Sequence, residues 1–72
     1  MRKYVVVYER TRTGYSAYVP DLPGCVATGK TRKEIERRIY DAIHFHLEGL
    51  AEENMKIPPG RAESEVMVFD VK

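Results

Sequence analysis

One stretch of this chain carries a helical period, and it limits what the rest can build. Thr31-Arg32-Lys33-Glu34 has the form of a capping box. The Thr31 hydroxyl can accept from the Glu34 amide, and the Glu34 carboxylate can reach back to the cap amide. From there to about Glu53 the sequence predicts one helix of about six turns. At about 100° per residue, Ile35, Ile39, Ala42, Ile43, Leu47 and Leu50 share an arc of about 140°. Glu34, Arg37, Arg38, Asp41, His44 and Glu48 take the wet side or its margins. Asn54 can adopt the left-handed conformation that ends a helix, and Pro58-Pro59-Gly60 bars its return.

A lone amphipathic helix must bury its stripe, and the remaining segments read as strands. Tyr4 to Tyr8 is β-branched or aromatic throughout. The polar Arg10 to Gly14 stretch suits a hairpin loop. Tyr15 to Val19 follows, with Tyr15, Ala17 and Val19 on one face and Ser16 and Tyr18 on the other. Pro20-Asp21-Leu22-Pro23-Gly24 stops that strand, and Pro-Gly suits a type II turn with positive φ at Gly24. Cys25 to Thr28 gives a short third strand. Ser64 to Val71 alternates Val66 and Val68 with Met67, Phe69 and Val71, as a fourth strand would. The expected fold class is α+β, with order βββαβ and a four-stranded mixed sheet of order 3-2-1-4. A right-handed crossover places the helix on one face. Strands 1 and 4, apolar on both faces, leave the bare side in search of a partner.

Composition narrows the function. The chain has 72 residues, enough for a single domain (1–72) that buries only about 60% of its unfolded surface. Twelve Lys+Arg against eleven Asp+Glu give a net charge of +1, so bulk charge does not make this a nucleic-acid coat. The single Cys25 supports neither a disulfide nor a thiolate cluster, which fits a reducing cytoplasm. The apolar run after Met1-Arg2-Lys3 is too short for a signal peptide or a membrane span.

The chemistry-bearing residues form no reactive set. His44 and His46 fall about 200° apart on a helix and cannot grip one metal. His46 lies within the apolar stripe and reads as a core histidine, whereas His44 points to water. Neither a Ser-His-acid arrangement nor a phosphate loop is present, so no catalytic residue, metal or cofactor is expected. Glu9 and Asp70 end strands placed side by side, but metal-dependent nuclease chemistry needs a third acid. Lys30, Arg32, Lys33, Arg37 and Arg38 gather at the helix start, against the macrodipole. The pairs Glu34–Arg38 and Arg37–Asp41 answer much of that charge. A contact with nucleic acid through these five residues is the alternative reading.

The run Gly14-Tyr15-Ser16-Ala17-Tyr18-Val19-Pro20-Asp21-Leu22-Pro23-Gly24-Cys25-Val26-Ala27 carries a family likeness. With Gly29-Lys30-Thr31 and a helix ending Ala42 to Leu50, it resembles the HicB family of bacterial and archaeal antitoxins. That resemblance implies a cut-down ribonuclease H-like fold without its catalytic acids. It also implies binding to a small mRNA-cleaving toxin, HicA, whose active site the antitoxin covers. Many members carry a C-terminal DNA-binding domain with no counterpart in these residues, so operator binding is not expected. The expected partner surface is Tyr15, Tyr18, Asp21, Leu22 and Pro23, and the expected assembly is a homo-oligomer (dimer or tetramer). An orphan oligomer without a toxin is the other alternative.

Overall fold

The computed structural model describes residues 1–72. Its elements are β1 (Val7–Arg10), β2 (Tyr15–Tyr18), β3 (Val26–Gly29) and α1 (Arg32–Glu52). They form a three-stranded antiparallel sheet of order β1-β2-β3, with the helix on one face. The helix lies over β3 and β2.

The expected capping holds at the helix start. Thr31 is the N-cap, and its hydroxyl accepts from the Glu34 amide at 3.0 Å. Glu34, however, reaches one residue further back than the capping box requires, accepting from the Lys30 amide at 2.6 Å. At the other end Asn54 has φ 57°, the left-handed value a helix stop calls for. Between β2 and β3 the chain makes two successive turns, in which Leu22 donates to the Val19 carbonyl and Cys25 to the Leu22 carbonyl. Gly24 carries φ 84° in the second, as a Pro-Gly type II turn requires.

These turns set the core. Ala17, Val19, Leu22, Cys25, Ile35 and Ile39 are its buried residues. Tyr4, Val6, Tyr8, Tyr15, Ala42, Ile43 and Leu47 pack around them. Strand parity agrees: the Tyr8–Ala17–Ala27 and Arg10–Tyr15–Gly29 rows face the helix.

The expected four-stranded mixed sheet of order 3-2-1-4 does not form. Residues 64–71 make no strand, and every residue from Glu63 to Lys72 is exposed. The reason lies just upstream. The Gly60 backbone lies so close to the Lys3 carbonyl that no side chain would fit. Immediately afterwards, the Arg61 and Ala62 amides both donate to one oxygen of Asp21, each at 2.8 Å. The Tyr4 hydroxyl donates to the Pro58 carbonyl at 2.6 Å, closing the same clasp. Asp21 belongs to the β2–β3 connection, on the side of β2 away from β1. The chain is thus led across the end of the sheet and away from the free edge of β1. The radius of gyration is 14.3 Å, against about 11 Å for a compact chain of this length.

β1 also differs from the expected Tyr4 to Tyr8. Val7 pairs with Tyr18, the last residue of β2, because the Val19–Leu22 turn then takes the chain away. Tyr4 to Val6 therefore precede the ladder, while Glu9 and Arg10 join it because the short Thr11–Gly14 loop holds the backbones together.

Candidate functional site

The face opposite the helix is built by register. Cross-strand partners share a face, so Val7, Tyr18 and Val26 form one open row and Glu9, Ser16 and Thr28 the next. Tyr18 stands at the centre of the apolar row with 40% of its surface exposed, beside an exposed Val26. A rigid aromatic ring with a polar tip, flanked by valines and next to a polar row, is well suited to a protein contact.

The expected partner residues do not share one surface. Tyr15 lies on the helix face, packed against the core, and borders a groove of about 390 Å³ with Thr28, Lys30 and Arg38. Asp21 is engaged in the clasp on Arg61 and Ala62. Leu22 is completely buried, because the double turn rolls its side chain beneath the helix. Tyr18 and Pro23 remain at the exterior. Val7 and Val26 were not among the expected residues. Only the cross-strand register reveals that they flank Tyr18.

The cations at the helix start are largely answered. Arg32 pairs with Glu36 at 2.7 Å, and its guanidinium lies 3.6 Å from the Tyr8 ring centre. Arg37 meets Asp41 at 3.4 Å and Arg38 meets Glu34 at 3.2 Å, the two pairs expected from spacing. Arg38 also donates to the Thr28 carbonyl at 3.1 Å. Lys30 and Lys33 make no ion pair. The set is also divided: Lys30 and Arg38 border the Tyr15 groove, while Lys33 and Arg37 border a second one with Tyr8 and Tyr40.

Glu34 sits below the usual carboxylate range. The chief cause is the Lys30 backbone N–H, opposed by partial desolvation and helped by Arg38. A depressed carboxylate stabilises the fold above its unfolded pKa, and that contribution is lost as pH falls through the folded value. The helix start is therefore expected to loosen in acid, and Glu34→Gln to flatten that part of an acid melt followed by circular dichroism. Thr31→Ala, which deletes the cap acceptor, is expected to cost about 1 kcal/mol in denaturant unfolding at neutral pH. Burial pushes the Cys25 thiol up, so it stays protonated and packs as a small apolar group.

No group of three or more His, Cys, Asp and Glu side chains comes together to hold a metal ion. Glu9 lies on β1 and Asp70 in the projecting segment, so the two are not brought side by side on paired strands. His44 is exposed and sets its ring edge-on to Tyr40, with centroids 4.8 Å apart, and His46 is half-buried. No helix is long and apolar enough to cross a membrane.

Comparison with known proteins places this arrangement. A family model described as "HicB_like antitoxin of bacterial toxin-antitoxin system" matches residues 4–69. A UPF0150 protein of Thermoplasma acidophilum is 44% identical over 62 residues, covering 85% of this chain and 90% of its own. An uncharacterized 14.9 kDa protein of Haemophilus phage HP1, from the rep-hol intergenic region, is 38% identical over 55 residues. That match covers 76% of this chain but only 41% of the phage protein. Among solved structures, a chain of a HicA3 and HicB3 toxin-antitoxin complex superposes with a TM-score of 0.68 and 28% identity. It covers 82% of this chain and 69% of that one. With the family pattern running through β1, β2, β3, the helix and most of the C-terminal segment, the chain belongs to the HicB-like antitoxin family.

Proposed function

We propose that this chain is a non-enzymatic protein-binding antitoxin that neutralises a small mRNA-cleaving toxin of the HicA type by covering its active site. The observation that carries the reading is the family match over residues 4–69, joined to the structural likeness to a chain of a toxin-antitoxin complex. The exposed row of Val7, Tyr18 and Val26, with Pro23 at the exterior, supplies the contact surface. A turn held by proline and a side chain held in a sheet lose little freedom on binding, so most of the contact energy is retained. Occlusion asks only for shape and affinity, so no cofactor enters, and the site of action is the cytoplasm, where mRNA is cleaved. Self-association into a dimer or tetramer belongs to the same reading. Large apolar residues left in water, Val66 to Val71 above all, favour it.

Co-expression with a neighbouring gene for a small RNA-cleaving protein tests the proposal. The expected result is a stable complex on purification and relief of the growth arrest that the nuclease causes alone. Continued arrest with no complex would remove the antitoxin reading. The nucleic-acid alternative makes a different demand. RNA binding would weaken steeply with salt and fall on Arg37→Glu. Because the ion pairs occupy Arg32, Arg37 and Arg38, no such binding is expected at physiological salt.

A further inference from the structure

Residues 66–69, bounded by Glu65 and Asp70, are apolar on both sides, and Val66 and Val68 are each 92% exposed. A strand destined for water would alternate apolar with polar. This one has Val66 and Val68 on one side and Met67, Phe69 and Val71 on the other. Its counterpart is the start of the chain. Tyr4, Val6 and Tyr8 face one way and Val5 and Val7 the other, with no charge or proline among these five.

The sheet order leaves one edge of β1 without a partner strand, and exposed edges are normally blunted by charge or proline. Beside it, Tyr4, Tyr40, Ile43 and Leu47 line a groove of about 540 Å³ between the chain start and the helix flank. A strand laid along this edge would send one row of side chains into that groove. Its other row would extend the open face next to Val5 and Val7. Only a segment apolar on both sides matches both surroundings.

The chain's own segment 64–71 is directed elsewhere, because the Asp21 clasp and the Gly60–Lys3 contact lead it off past the β2–β3 connection. We propose that residues 64–71 of one copy pair along the free β1 edge of a second copy, and that the second copy returns the contact. The exchange is a two-fold, self-complementary interface made by strand addition. Backbone hydrogen bonds set its alignment, and the groove takes Met67, Phe69 or Val71. It rests on the self-association reading above, not on the toxin reading.

The test uses the full chain, with sedimentation for mass and hydrogen exchange for backbone pairing. Expected is a dimer in which the amides of 64–71 and of the Tyr4–Tyr8 stretch are protected together and lose protection together on dilution. The double substitution Val68→Asp and Phe69→Asp should raise the dimer dissociation constant by about a hundredfold or more. The circular dichroism of the monomer should be unchanged, because both side chains are exposed and lie outside the core. A dimer whose 64–71 amides exchange freely would overturn the exchange and leave self-association standing through another surface. A wild-type monomer at high concentration would overturn both. Protection that survives dilution would mean pairing within one chain, and protection appearing only with an RNA-cleaving protein would give the segment to the toxin. Either result overturns the proposal.

Discussion

Leu22→Ala is expected to destabilise the fold by about 2–5 kcal/mol, the range for emptying a fully buried leucine site. By the usual scaling per residue, a domain of this length holds only about 4–10 kcal/mol in all. One substitution in the β2–β3 connection would therefore remove a large share of it and lower the melting temperature by tens of degrees, at about 4–8 °C per kcal/mol. The cause is local geometry. The turns at Val19–Leu22 and Leu22–Cys25 set Leu22 between two other buried residues, beneath Ile35 and Ile39. Nothing else fills that site, since the core contains only six buried residues. Val26→Ala, on the open face one residue past the same turn, is expected to change stability by less than about 0.5 kcal/mol. Thermal or urea unfolding of the two variants side by side makes the comparison, and equal small effects would mean that the connection does not pack as described.

Tyr18→Ala is expected to weaken toxin binding by about thirtyfold or more, the effect of truncating a central aromatic anchor worth about 2 kcal/mol. Stability should hardly move, since Tyr18 lies on the face away from the helix and outside the core. Tyr15→Ala should do the reverse. Its ring packs on the core from the helix face, so its loss shows in the melting temperature while affinity is largely kept. Calorimetric titration of the toxin into each variant, with melting curves alongside, separates the two tyrosines. If Tyr15→Ala costs the affinity instead, the contact surface lies on the helix side, around the groove with Lys30 and Arg38.

Much of this was legible in the residues. The Thr31 cap, the Asn54 stop, the Gly24 turn and the Glu34–Arg38 and Arg37–Asp41 pairs depend on neighbours within a few positions. Local chemistry decides such features. The opposite faces of Tyr15 and Tyr18 follow from the two-residue period of a strand. What escaped depends on distant contacts. Apolar alternation at Val66 to Val71 predicts a fourth strand, which does not form, because whether a segment joins the sheet is not a local matter. That is decided by Asp21 accepting two amides some forty positions away, and by a glycine pressed on Lys3. Leu22 escaped for a related reason. An apolar residue between two prolines looks like a loop tip, and only the pair of consecutive turns shows that the tip is tucked inward. The flanking of Tyr18 by Val7 and Val26 required the cross-strand register, which depends on the lengths of two connections rather than on any motif.

RNA cleavage by a purified HicA-type toxin, titrated with the purified chain, tests whether the chain silences such a protein by covering it. The expected result is a linear fall in rate to a sharp endpoint at a fixed small-integer ratio, with the Tyr18→Ala endpoint displaced or blurred. Cleavage at full rate in the presence of a large molar excess of folded chain would contradict it.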